Sequence, residues 1–180
     1  MESSASSYRE IALPASVLRA LRKGLAEEAG SLPAIHVLHA AGYRSGAEAV
    51  TAFRKAPAED LGALPEDAFW SRLALFLRER GWGTAVRSDP HPGVGLLASE
   101  DWAESAGEEH DAEASCSFTT GFLSGLLTRV AGGPIAVLEA ECRGRGDGRC
   151  AFAFGSEAAI HELYGNLMES TDLNTALARL

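Results

Sequence analysis

Apolar side chains recur at helical spacing along the first third of the chain. Leu13, Val17, Leu18, Leu21 and Leu25 share one face, Pro14 stands at the start and Gly30 follows the end, which predicts an amphipathic helix. Pro33 opens a second, short helix carrying Ile35, Val37 and Leu38 that stops near Gly42. A third is expected from Gly46 to Phe53, ended by Pro57. Pro65, Glu66 and Asp67 start a fourth, with Phe69, Leu73 and Phe76 in one stripe and Trp70 and Leu77 beside it. Acids suit the positive end of the helix dipole, and Arg78, Arg80 and Gly81 mark the stop.

Beyond Gly81 the period changes. Residues 82–86 and 93–98 are short and apolar, separated by Ser88-Asp89-Pro90-His91-Pro92, which predicts two strands and a turn. Polar, acidic residues 100–113 around Trp102 are expected to form a helix and a loop. Phe118, Phe122, Leu126 and Val130 restore the helical period until Gly132-Gly133-Pro134 ends it. Residues 135–142 form a strand, 143–149 a glycine-rich turn containing Asp147, and 150–154 the returning strand. Ser156 caps a helix running to Leu167, and a short one is expected from Thr171 to Leu180. The expectation is a tail over residues 1–8 and one domain over 9–180.

The chain has 180 residues, 46% of them apolar, enough for one cored domain. A formal net charge of -9 repels phosphate backbones, so nucleic acid is not an expected partner. No run approaches the roughly 18 apolar residues of a membrane span, and the N-terminus lacks the basic start and apolar stretch of a secretory signal. The cytoplasm, where thiols stay reduced, is the expected compartment. Three cysteines fit a disulfide framework poorly and a metal site better.

Those cysteines carry the strongest chemical signal. Cys142 and Cys150 flank the tight turn, so antiparallel pairing brings them together. Cys116 precedes the helix before that hairpin, and Glu139 lies three residues ahead of Cys142. Three thiolates and a carboxylate complete a zinc tetrahedron with no open position, which makes a structural site. Such a set leaves two negative charges over, for which Arg143, Arg145 and Arg149 are candidate counterions. Strand parity raises an obstacle. Residues three apart on a regular strand face opposite ways, so Glu139 needs a bulge or a strand end before Cys142. Glu141 is the alternative oxygen ligand, and buried free thiols or a Cys142–Cys150 disulfide are the rival readings.

The run Cys116-Ser117-Phe118-Thr119-Thr120-Gly121-Phe122-Leu123-Ser124-Gly125, then Glu139-Ala140-Glu141-Cys142 and Gly146-Asp147-Gly148-Arg149-Cys150, resembles the 4-vinyl reductase domain family. That family includes the effector-sensing domain of bacterial activators that respond to aromatics. The resemblance is close from about Trp102 to Phe154 and implies zinc on Cys116, Glu139, Cys142 and Cys150. It also implies an α+β fold, an antiparallel sheet packed against helices. That fold is similar to vesicle-tethering subunits of Golgi transport and, more distantly, to haem nitric-oxide sensors. A homodimer through N-terminal helices and an apolar ligand pocket near the hairpin follow from the same resemblance. The aromatic sensors hold a phenol hydroxyl with a tryptophan and a histidine. Here the tryptophan's place falls on Gly95-Leu96-Leu97, all apolar, which argues against phenol itself.

Trp102, Phe118, Phe122, Leu126 and Val137 are the candidate lining of a hydrophobic or aromatic ligand site, the alternative being that they fill the core. Gly121 and Gly125 bare one face of their helix, either for a ligand or for close approach to the sheet. The preferred function is a small-molecule sensory or carrier module whose output partner is unknown. A tethering-type protein scaffold would instead show an exposed apolar patch and a filled interior. A tetrapyrrole vinyl reductase needs an electron source, and the chain has neither a dinucleotide glycine fingerprint nor spare cysteines for a cluster.

Overall fold

The computed structural model describes residues 8–106, 115–170 and 172–180. The elements follow the order α1 (Ser16–Ala29), α2 (Ser31–Phe53), α3 (Glu66–Glu79), β1 (Val86–His91), β2 (Val94–Ser99), α4 (Ser117–Ala131), β3 (Ala136–Glu141), β4 (Cys150–Gly155), α5 (Glu157–Glu169) and α6 (Leu173–Leu177). The four strands form one antiparallel sheet in the order β1-β2-β4-β3. The expected α+β architecture is present, and helices cover both faces of the sheet.

The period of two along the strands sorts side chains between those faces. Leu97, Cys150 and Phe152 join Phe53, Phe69, Leu73, Phe76, Leu77, Trp102, Leu123 and Leu126 in the larger core under α2, α3 and α4. Val94, Leu96, Ala151 and Ala153 face the other way, onto Ile160 and Leu163 of α5 and Leu173 and Leu177 of α6. None of the residues of α1 is buried.

Residues 31–53 form one helix of 23 residues, not the two short helices expected on either side of Gly42 and Gly46. The glycines do not break the helix, because each meets backbone on α4. A Cβ on Gly42 would lie 2.1 Å from the Phe118 carbonyl oxygen, and one on Gly46 2.0 Å from that of Phe122. The contact is reciprocal. A Cβ on Gly121 would lie 2.1 Å from the His39 carbonyl oxygen, and one on Gly125 2.0 Å from that of Tyr43. Glycines four apart share a helix face, so two bare stripes let the helices meet backbone to backbone, at a distance where Cα–H groups reach carbonyl oxygens. The bare face of α4 is therefore spent on α2 and not on the sheet.

The first strand is also displaced from its expected place. It occupies 86–91 instead of 82–86, running through Pro90, and the turn shrinks to Pro92 and Gly93. Proline is compatible with an edge strand, and the β1–β2 register shifts between Ser88 and His91. Of the helix and loop expected over 100–113, a single 3-10 turn at Ala103–Ser105 is present, while 107–114 lies outside the described residues. Residues 1–7 of the expected tail and Thr171 are also outside them. Tyr8 packs against the larger core.

Candidate metal centre

Each of the four candidate ligands arrives from a different local device. Cys116 occupies the N-cap position of α4. Cys150 begins β4 and Cys142 follows β3, at the two feet of the hairpin turn. Glu139 reaches the same face as Cys142 because the β3–β4 register slips by one. Glu139 pairs with Phe152 and Glu141 with Ala151, which leaves Ala140 as the extra residue. This β-bulge is the irregularity that strand parity demands.

The result is a compact donor set. One ligand atom from each of Cys116, Glu139, Cys142 and Cys150 lies within 4.8 Å of the others, and the three cysteines are free and buried. The Cys116 and Cys150 sulfurs are 3.9 Å apart. Glu139 Oε2 accepts the Cys116 backbone N–H at 2.8 Å, whereas its Oε1 is buried with no hydrogen-bond partner. A carboxylate oxygen buried without a donor is costly, and in a group that also holds three sulfurs a cation is the species that fits it. Backbone N–H groups support the sulfurs from outside. Ser115 donates to Cys142 at 3.4 Å and Arg143 to Cys150 at 3.5 Å.

With protons as the only positive charge, the cluster is frustrated. Hydrogen bonds to the Cys142 and Cys150 sulfurs, with burial and the Glu139 charge, push the Cys116 thiol far up. Burial and the charge on Cys142 raise Glu139 well above the usual carboxylate range. Hydrogen bonds from Cys116 and Cys150 hold Cys142 down as the thiolate. Cys150 stands at about 11, between a bond from Cys116 that favours its anion and one to Cys142, with burial, that favours its thiol. A divalent ion reverses this balance, since it lets all four groups ionise together.

Two of the three arginines expected as counterions, Arg145 and Arg149, pair with carboxylates instead. Arg145 pairs with Asp147 at 2.7 Å and also donates to the Ala140 carbonyl, and Arg149 pairs with Glu141 at 2.6 Å. That pairing also removes Glu141 as the alternative oxygen ligand, because its carboxylate is engaged outside the cluster. Asp147 has a further role that composition alone showed only as a turn signal. Its carboxylate accepts the Cys142 N–H at 2.7 Å while its own N–H donates to the Cys142 carbonyl at 3.1 Å, which fixes the loop between the two hairpin sulfurs.

The candidate ligand-lining residues lie beside the centre in a closed aromatic layer. Trp102, Phe122 and Leu126 are buried, and Phe118 and Val137 pack against them. Trp82 lies nearly parallel to Phe118, 5.8 Å between ring centres at 8°, and also stacks on Trp102 and Phe122. Among Leu77, Leu97, Trp102, Leu123 and Phe152 no space admits even a water molecule. Ser124 does not activate anything in this layer: its hydroxyl donates to the Ile135 carbonyl at 2.6 Å and ties α4 to β3.

The centre, the helix that presents Cys116 and the hairpin form one contiguous stretch. Residues 99–156 match the 4-vinyl reductase domain. That match contains all four candidate ligands, as the resemblance in the sequence implied. No curated protein sequence matches the chain. Several solved structures are similar. The phenol-responsive sensory domain of the transcription activator PoxR, crystallised with phenol, is 19% identical with a TM-score of 0.67, over 87% of this chain and 83% of that one. A trafficking protein particle complex subunit 3 from Naegleria fowleri, covalently bound to palmitic acid, is 14% identical with a TM-score of 0.61, over 78% and 91%. A vinyl-4-reductase family protein from Methanocaldococcus jannaschii is 17% identical with a TM-score of 0.51, over 82% and 83%. At these identities the likeness establishes the fold.

Proposed function

We propose that this chain is a non-catalytic binding module, one domain over residues 9–180, in which a structural zinc ion held by Cys116, Glu139, Cys142 and Cys150 pins the β3–β4 hairpin to the start of α4. The convergence of three sulfurs and a Glu139 oxygen within 4.8 Å, with Glu139 Oε1 buried and unpartnered, carries the metal reading. Thiolate-rich sites select zinc over harder cations, and four protein ligands leave no place for a water or substrate. All three cysteines are committed here, so none remains for a redox cluster, which argues against a reductase. Metal analysis of the purified protein should find about one zinc per chain, and Cys142→Ser should lose it and melt lower. Folded protein with less than about a tenth of an equivalent would end the reading.

The ligand we assign is a small hydrophobic or aromatic molecule, and the compartment the cytoplasm. Phenol and palmitic acid accompany two of the similar structures, and the aromatic layer of Trp102, Phe118 and Phe122, with Leu126 and Val137, is the surface such a molecule would meet. Native mass spectrometry should detect a co-purifying lipid or aromatic. Its absence under gentle conditions would favour a second reading, a protein-binding scaffold, which the closed interior supports. Exposed Ile11, Leu13, Leu21, Leu32 and Val37 on the N-terminal segment and first two helices support it too. Those residues are also where we place a homodimer contact. No described helix is long and apolar enough to cross a membrane.

A further inference from the structure

Glu104 is a buried acid that the metal reading does not use. It lies in the 3-10 turn before the undescribed acidic stretch and is 6% exposed. Its carboxylate accepts three hydrogen bonds from the first turn of α4, and the charge of Arg22 on α1 also acts on it. Oε1 accepts the Phe118 N–H at 2.9 Å, and Oε2 accepts the Thr119 N–H at 2.8 Å and the Thr119 hydroxyl at 2.5 Å. We infer that Glu104 is a positioning residue of the metal centre: it clamps the start of α4 so that Cys116 presents its sulfur at a fixed point. The inference rests on the zinc reading above.

The need for such a clamp follows from where Cys116 sits. A helix start leaves its first N–H groups without partners, and a Ser, Thr, Asp or Asn at the N-cap normally supplies one. Here the N-cap is Cys116, whose side chain makes no capping bond and whose thiolate belongs to the metal. The cap must therefore come from another part of the chain. Glu139 takes the Cys116 N–H, and Glu104 takes those of Phe118 and Thr119, the second and third residues of the helix.

The same short segment grips the other side of the centre. Trp102 donates its indole N–H to Thr119 Oγ1 at 2.8 Å, so Trp102 and Glu104 share one hydroxyl. The Trp102 ring meets Phe152, two residues past Cys150, edge-on at 5.3 Å. Ser105 donates to the Trp102 carbonyl at 2.9 Å, which fixes the turn that carries Glu104. Residues 102–105 thus tie the element presenting Cys116 to the strand presenting Cys150. Three donors converging on two oxygens demand a carboxylate. A carboxamide has one acceptor oxygen and would turn its NH2 toward a donor.

The test uses the full chain loaded with cobalt(II), whose visible absorption reports ligand geometry, and with zinc, whose release to a chromophoric chelator is timed. Glu104→Gln should shift or weaken the cobalt bands and speed zinc release by about tenfold or more, the scale typical of outer-shell partners of metal ligands. Ser156→Ala, which removes the cap of the distant α5, should lower the melting temperature and leave the spectrum unchanged. If Glu104→Gln fails to fold, Thr119→Val and Thr119→Ser decide: valine should alter the spectrum and serine should not. A wild-type spectrum and release rate in Glu104→Gln, or in Thr119→Val, would overturn the inference. A parent chain that takes up neither cobalt nor zinc would overturn the zinc reading and this one with it.

Discussion

Gly121→Ala is the substitution that most directly interrogates how α2 holds α4, the helix that presents Cys116, in place. The added Cβ would stand 2.1 Å from the His39 carbonyl oxygen, 2.8 Å from its carbon and 2.9 Å from the Tyr43 nitrogen. All three are backbone atoms of α2, so no rotamer change relieves them, and the helices must separate by roughly 1 Å. Overpacking of this kind costs about 1–3 kcal/mol, with the upper end expected where only backbone can yield. Alanine returns about 0.5–1 kcal/mol of helix propensity. The net loss is about 2 kcal/mol, a fall in melting temperature of about 4–8 °C for a chain of this size. The assay is thermal denaturation followed by circular dichroism at fixed zinc concentration, since bound metal shifts the midpoint. Gly165→Ala on α5 is the control: nothing lies within 4 Å of its would-be Cβ, so propensity alone operates and the protein should gain about 0.5–1 kcal/mol. A Gly121→Ala variant that melts at or above the parent would refute the backbone-to-backbone crossing.

Two further outcomes follow from the charged groups. Glu139→Gln should abolish stoichiometric zinc, and Glu141→Gln should leave metal content unchanged because Glu141 serves Arg149. Zinc loss in the second variant would reverse the ligand assignment. Burial holds the Glu104 carboxyl at about 7, above its ordinary 4.5. A folded pKa above the unfolded one means that the folded protein binds the extra proton. The associated stability is therefore complete below about pH 4.5 and disappears as pH rises through about 7. Melting temperature plotted against pH should have a shallower fall across that window in Glu104→Gln, and identical slopes would refute the assignment.

The cluster of Cys116, Glu139, Cys142 and Cys150 was legible because its signal is residue identity and spacing. Cysteines flanking a glycine-rich turn must approach one another when the strands pair, and parity alone required the irregularity found at Ala140. What escaped were features decided by a partner remote in sequence. Gly42 and Gly46 weaken a helix by propensity, and only the presence of α4 at contact distance shows why they persist inside one. Pro90 signals a turn until the strand is known to lie at a sheet edge. Glu104 sits in the polar, acidic stretch 100–113, which the sequence marks only as a helix and a loop. Its burial depends on a helix start whose own cap residue is a cysteine, and the Trp-x-Glu spacing carries no local signature of that. Arg145 and Arg149 were close in sequence to the cysteines but pair with carboxylates, Asp147 in the turn and Glu141 at the end of β3.

The bulge at Ala140 makes the interval between carboxylate and thiol an elastic trait. It places Ala140 and Glu141 on the same side, away from the sulfurs. Loss of Ala140 would straighten the strand and leave Glu139 two positions before the thiol, which on a plain ladder is still the same side. Divergent homologues can therefore shorten this interval by one residue without losing the ligand. Alignments that insist on a fixed gap between the acid and the first hairpin cysteine will overlook them, whereas a frame shift between the two cysteines has no such escape.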